Sequence, residues 1–365
     1  MPNLVIKPAA QSGNKVIIQD QAGGAVLTTA DSGVTIENAT FPTIKLTPGS
    51  ASGSPVEGQL YYDSTSGLVK LYNGSEWAQL AGGGDAYGIE FLVIGGGGSG
   101  GSSDRSGGGG AGGYRTSSLV SLPGTKITIT VGDGAAGVSA AHGLDGSPSS
   151  FSGTGLITIS AAGGGGGNSN MPPPPVPDAR DGGSGGGAGY GNAGSGNVPS
   201  TSPAQGYDGG EDYPGGSAGG GGGSSEAGED GSVSSGGDGG DGTTSSISGS
   251  SVTRAGGGGG GSPALGVGNG GTGGGGAAGL SNYVTHIGEP GVSGTVNTGS
   301  GGGAGGTGAA SQNPGQSGAG GKGVVILSMP DANYSGTIEG APTVATGQAG
   351  GKTTLIFTGT GTYTT

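Results

Sequence analysis

Gly96-Gly97-Gly98-Ser99-Gly100-Gly101 follows an apolar run with the G-x-G-x-x-G spacing that can cradle a dinucleotide pyrophosphate. That chemistry needs a helix N-terminus after the glycines and an acid about 20 residues on. Here Ser102-Ser103-Asp104-Arg105-Ser106 leads into more glycine, so no helix can start and no nucleotide site is expected. Gly350-Gly351-Lys352-Thr353 has the ending of a P-loop, but the first required glycine falls on Thr346 and strand-forming residues follow. His142 and His286 lie far apart in polar stretches and read as solvated loop residues. Glu226, Glu229, Asp230, Asp238 and Asp241 share one glycine-rich stretch, and Gly236–Asp241 fits part of a calcium-binding nonapeptide. Only one copy exists and its hydrophobic position is Thr243, so these acids read as solvated loop residues. Glycan cleavage would need two carboxylates held at a fixed spacing, and no strand framework in 168–320 fixes one. No catalytic residue, metal site or cofactor is expected, and the chain does not read as an enzyme.

Binding has a better candidate. Tyr190, Tyr207, Tyr213 and Tyr283 stand among Asn, Asp, Ser and Gly. Those residue types make adaptable binding surfaces, because tyrosine offers rigid amphipathic area at small entropic cost. The four are candidate receptor contacts. Ordinary surface tyrosines, or tyrosines closing the edge of a glycine array, are the equally open alternative.

The elements that must hold such residues are constrained by composition. Glycine supplies 102 of 365 residues, against about 7% in ordinary proteins. Leu, Ile, Val and Phe make up about 16%, below the ~20% at which a chain usually builds a normal core. A conventional α/β or all-α enzyme is thereby excluded. Collagen is excluded too, since Gly256–Gly261 breaks any strict third-position register. There is no cysteine, hence no disulfide framework. Eleven basic residues against 24 acidic ones argue against nucleic acid as a partner. No apolar stretch approaches the ~20 residues of a membrane helix, and the start lacks the apolar region of a signal peptide. No membrane insertion is expected.

The pattern predicts an all-β chain with almost no α-helix. Residues 1–84 hold short β-rich runs separated by turn residues. Leu60–Asp63 and Leu68–Trp77 predict a hairpin or meander too small to be stable alone, so this segment is expected to borrow its core from identical neighbours. Residues 85–365 open on Ile89–Ile94, a continuous apolar run that reads as a strand buried on both faces. Thr125–Val131 alternates cleanly; Gly323–Met329 and Thr353–Thr358 restore strand signal near the C-terminus. Between them, about 163–322 is dominated by Gly, Ser, Asn, Asp and Pro. Such a stretch is either a flexible tether or a set of polyproline-II passes packed backbone to backbone, whose outward N–H and C=O groups must find partners in neighbouring passes. Recurrent runs such as Gly107–Gly110, Gly219–Gly223 and Gly256–Gly261, with polar stretches between, suit the packed alternative. The expected second domain is therefore β-sandwich-like with packed polyproline-II helices.

Phe91-Leu92-Val93-Ile94-Gly95-Gly96-Gly97-Gly98 followed by Gly107–Tyr114 resembles the strand-then-glycine pattern of glycine-rich bacteriophage tail-fibre and virion fibre proteins. Leu122-Pro123-Gly124 through Gly134, Ser149-Ser150-Phe151 with Ile159–Gly167, and Gly321–Leu327 with Phe357–Thr362 are similar to further motifs of that family. Glu57–Leu80 resembles the short tyrosine/tryptophan modules of phage fibre shafts. The likeness covers 56–167 and 321–362. One departure is that the family's YTVPAGV lead-in is missing before Ile89. The resemblance implies a virion structural protein on the tail or capsid exterior, with 1–84 as an attachment or shaft segment contacting other virion proteins. It implies homotrimers and, for a tail fibre or its adhesin tip, binding of a host surface glycan or outer-membrane protein through loops of 168–320. A head fibre or capsid decoration protein is the alternative.

Overall fold

In the computed structural model the described residues are strands within 17–79, and 86–121, 123–170, 176–263, 266–281, 287–306 and 313–365. The chain divides into two units, Met1–Leu80 and Ala81–Thr365.

In the first unit, β1 (Ile17–Gln19), β2 (Ala25–Ala30) and β3 (Gly33–Thr35) form an antiparallel sheet in sequence order. A second sheet orders β4 (Pro48–Gly49), β5 (Leu60–Asp63), β6 (Leu68–Tyr72) and β7 (Trp77–Gln79). The β5–β6 hairpin is the one the sequence predicts. β7 then pairs Tyr72 with Trp77, whose rings meet at 5.3 Å between centroids. The expected runs at Leu4–Lys7 and Thr43–Leu46 lie outside the described residues.

The second unit begins with a β-sandwich. One sheet runs β10 (Tyr114–Ser121), β8 (Tyr87–Ile94), β17 (Val324–Pro330), β20 (Lys352–Phe357), β19 (Thr343–Gln348). The other runs β13 (Ile159–Ala161), β12 (Ser149–Gly153), β11 (Lys126–Thr130), β21 (Gly361–Thr364), β18 (Thr337–Glu339). All pairings within both sheets are antiparallel. Sequence-distant segments thus lie side by side: Val93 faces Val325, and Ile127 faces Tyr363. Between the sheets, Ile89, Phe91, Val93, Ile127, Ile129, Phe151, Leu327, Leu355, Phe357 and Tyr363 form the main core. Phe91 and Phe151 meet edge to face at 5.0 Å.

The other face of the first sheet explains why Ile89–Ile94 is a continuous run. Leu92, Ile94, Val324 and Ile326 are buried against Ala111 and Ala255, which belong to the glycine-rich passes, and against Tyr114 at the start of β10. The end of β8 is therefore covered on both sides, by the core between the sheets on one and by the start of the glycine-rich passes on the other.

Those passes are packed, with a three-residue period. Gly95, Gly98 and Gly101 donate their N–H groups to Gly113, Gly110 and Gly107. Gly96, Ser99 and Ser102 donate to Ser147, Leu144 and Ala141, while Gly97 and Gly100 donate to Gly321 and Gly318. Each successive residue thus points at a different neighbouring pass, as a helix with three residues per turn requires. The pass 107–113 is enclosed by passes at 95–101, 162–168, 184–187, 219–222, 258 and 299–302, all hydrogen-bonded to it. The lattice thus includes passes that precede residue 163. Two short strand pairs leave it: β9 (Asp104–Ser106) with β14 (Ser169–Asn170), and β15 (Thr243–Ser245) with β16 (Val252–Arg254). The helical content among the described residues is a single 3-10 turn, Asp331–Asn333. The protein is all-β.

Glycine is needed in the passes for space. A Cβ on Gly109 would lie within 3.0 Å of the Gly98 carbonyl, and one on Gly258 within 3.0 Å of the Gly302 carbonyl. Elsewhere in the passes Ala or Ser is accommodated, and Ala111, Ala188, Ala255, Ser184 and Ser300 are fully buried.

Candidate functional site

The lattice decides what the chemistry-bearing residues do. The glycines of the G-x-G-x-x-G match spend their N–H groups on neighbouring passes, so none is free to bind a phosphate. Gly350 and Gly351 take φ of 81° and 67° in the turn before β20, and Lys352 forms an ion pair with Glu90 at 2.7 Å. His142 accepts the Ser169 N–H at Nδ1 (3.1 Å). Burial, helped by Arg180, holds its pKa below the usual value, so the ring stays neutral as an acceptor. His286 lies outside the described residues.

The acids have a structural task. Passes at the rim of the lattice have N–H groups with no further pass to receive them, and carboxylates take that place. Asp178 and Asp181 accept from Asn192 N–H (3.0 Å) and Ser195 N–H (2.7 Å). Asp208 and Glu211 accept from Gly196 (2.7 Å) and Ala193 (3.0 Å). Asp238 and Asp241 accept from Asn269 (2.6 Å) and Thr272 (2.8 Å). Each pair is three residues apart and serves donors three residues apart, one polyproline-II turn. The Asn192 backbone N–H, then its side-chain amide, holds the Asp178 carboxyl below the usual carboxylate range. Among the described residues no group of three or more His, Asp or Glu is placed to hold a metal ion. The acid spacing is the signal sequence reasoning missed: Asp-x-x-Asp and Asp-x-x-Glu match the pass period rather than a calcium loop.

Three of the four candidate tyrosines can be placed; Tyr283 lies outside the described residues. Tyr190, Tyr207 and Tyr213 are each about half exposed. Gly185 donates to the Tyr207 carbonyl and Ala188 to that of Gly210, so these two passes run parallel in a fixed register. The register extends to Ala188 and Gly210, two residues before Tyr190 and three before Tyr213. Tyr207 sits level with Gly185, about 15 Å back along the pass at ~3.1 Å per residue. Tyr190 and Tyr213 thus follow the same end of this pair of passes, whereas Tyr207 lies within the paired stretch.

That end is built from turns. Gly216 N–H closes a turn on the Tyr213 carbonyl (2.7 Å), and Ser217 N–H joins it to the adjacent turn at Ser232 (2.9 Å). Val233 in that second turn is 72% exposed. Burial raises the Asp212 carboxyl pKa, while the Arg105 guanidinium opposes the rise. Asn168 anchors the Tyr190 segment: its Nδ2 donates to the Tyr190 and Pro177 carbonyls (2.5 and 2.8 Å), and its Oδ1 accepts the Gly189 N–H. Tyr213 and Val233, both beside Gly216, and Tyr190, on a segment tied to Asn168, are therefore exposed side chains on backbone held by hydrogen bonds.

A family model described as a glycine-rich domain matches residues 75–330. No curated protein and no solved structure matches the chain.

Proposed function

We propose, from the premise that the chain belongs to the glycine-rich domain family, that it is a structural protein of a bacteriophage virion, a tail fibre or fibre-tip adhesin. In this reading residues 1–84 attach the protein to other virion proteins and assemble it as a homotrimer. The lattice presents its end turns to a glycan or outer-membrane protein on the host surface. The observation that carries the reading is the exposure of Tyr190, Tyr213 and Val233 on segments and turns held by backbone hydrogen bonds. A rigid scaffold with exposed aromatic loops is how binding surfaces keep their entropic cost low. The sequence resemblance supports the virion setting.

Adsorption of virions carrying Tyr190→Ser and Tyr213→Ser to their host tests it. Both side chains are about half exposed, so the lattice should persist while adsorption falls at least about tenfold, the loss of ~1.4 kcal/mol. Unchanged adsorption with the protein still on the virion would sink the adhesin reading and favour a head fibre or capsid decoration protein.

A further inference from the structure

The two sheets of the sandwich end in β10, β19, β13 and β18, and three of these edges are blunted. β13 and β18 are only three residues long. β19 carries a register shift between Ala345 and Gln348, with Gly347 at φ of 65°. Short length and bulges are what keep sheet edges from pairing with other chains. β10 has neither protection, since its eight residues pair with β8 without a shift.

The outer side of β10 is open. Gly95 N–H donates to the Gly113 carbonyl, so the odd-numbered residues turn their backbone groups toward β8. Tyr114 N–H instead reaches the Gln205 carbonyl on the far side. Backbone groups alternate along an antiparallel strand, so Thr116, Ser118 and Val120 also point outward. All three residues are exposed, and their backbone groups have no partner on that side among the described residues.

Beside this edge lies a groove of about 740 Å³. Phe91 of the core lines it, together with Leu119, Leu156 and Ile159, which pack against that core. Val120 and Ile157, 68% and 84% exposed, also border it. No acid lines the groove, and its cation is Arg115. Arg115 Nη1 donates to the Ser160 carbonyl (3.3 Å), but no carboxylate pairs with it among the described residues. Lys126, Arg180, Lys322 and Lys352 all hold ion pairs.

We propose that the β10 edge docks an extended segment of another protein as a further strand, with apolar side chains in the groove and an Asp or Glu on Arg115. Backbone pairing gives such a strand its affinity, and alternate side chains give it selectivity. Thr116–Val120 offers about 17 Å of edge at ~3.4 Å per residue. A second copy fits less well: its β10 brings no carboxylate to Arg115, and its β19 is bulged. The site depends on neither the exposed tyrosines nor the virion reading.

Selection of a displayed library of short random peptides on the immobilised full chain tests this, followed by fluorescence titration of the enriched peptides. Those peptides should alternate apolar with polar residues and carry Asp or Glu. Ser118→Pro removes one outward N–H and spares the β8 ladder, a place where edge strands accept proline. It should melt close to the parent temperature and weaken binding at least about tenfold. Arg115→Gln should weaken binding about threefold and reduce its salt dependence. On the parent chain, peptides N-methylated at alternate amides should bind in one frame and fail in the other, which reads strand pairing without any variant. No enrichment, enriched peptides without the alternation, equal binding by a folded Ser118→Pro, or indifference to N-methylation in both frames overturns the strand site. Binding untouched by Arg115→Gln overturns the acidic partner. Loss of a parent oligomer in Ser118→Pro assigns the edge to a second copy of this chain and overturns the proposal as well.

Discussion

At the level of single residues, this protein inverts the usual relation between side chain and core. Gly109 and Gly258 are where a methyl group does most harm, since each Cβ would fall on a neighbouring backbone carbonyl that is itself hydrogen-bonded. Gly109→Ala or Gly258→Ala should therefore destabilise by about 1–3 kcal/mol or more, the range for overpacked interiors. Gly88→Ala is the matched control: it lies in β8 with nothing within 4 Å of the added Cβ, and should be neutral or stabilising by about 0.5 kcal/mol. Denaturant midpoints of the three variants check the opposite signs, and equal losses at all three would refute the spatial argument. The rim acids have their own signature. The folded pKa of Asp178 lies below its unfolded value, so its contribution is complete above the unfolded pKa and is lost as pH falls through the folded one. Asp212 has the reverse shift, raised by burial, and its charge costs stability once pH exceeds the unfolded pKa. At neutral pH, Asp212→Asn should thus raise the melting temperature and Asp178→Ala lower it, with both differences shrinking in acid. Melts at pH 7 and pH 3 decide this, and a like sign for both at pH 7 would contradict it.

At the level of elements, the strands were legible and the passes only partly so. Hydrophobic runs and alternation locate β8, β11, β17 and β20, because a strand writes its two-residue period in side chains. A polyproline-II pass built from glycine writes no such pattern. Its three-residue period survives only where a side chain is allowed, as in Asp178/Asp181, Asp208/Glu211 and Asp238/Asp241 at the rim. The candidate tyrosines were visible as residue types. Which of them share a lattice end could not be read, since that depends on the Gly185–Tyr207 register between segments of nearly featureless sequence. The joint between the two textures is β8, whose Ile94 side chain packs on the lattice while Ile127 of β11 packs only between the sheets. Both are fully buried, so Ile94→Ala and Ile127→Ala should each cost about 2–5 kcal/mol. Native-state hydrogen exchange should separate them. Ile94→Ala is expected to speed exchange first at Gly110–Gly113, and Ile127→Ala first at Ser150–Gly153. Identical exchange patterns in both variants would mean that sandwich and lattice open as one unit.

At the level of the whole glycine-rich unit, the two textures cannot be cut apart along the chain. Gly107, Gly108, Gly109 and Gly112 donate to Asn168, Gly219, Gly302 and Gly299, so a chain lacking 168–320 would leave its own central pass with buried, unmatched N–H groups. Each such group costs about 1–3 kcal/mol, and four already rival the entire stability of a typical domain. The C-terminal strands are bound in as tightly. Leu355, Phe357 and Tyr363 of β20 and β21 are fully buried between the sheets, although the family match ends at Pro330. β20 stands between β17 and β19, and β21 between β11 and β18. A chain ending at Pro330 would expose the edges of β17 and β11 together with Ile129, Val325 and Leu327 in the open core. Both truncations are therefore expected to lose the cooperative melt and the dispersed amide spectrum of the full chain. The Pro330 truncation is the sharper of the two, since it leaves 168–320 intact. Retained slow exchange at Gly107–Gly113 in that truncated chain would show that the lattice holds itself together without the sandwich. Loss of that protection would show that backbone packing alone, with its thin supply of apolar side chains, needs the closed sandwich as its anchor.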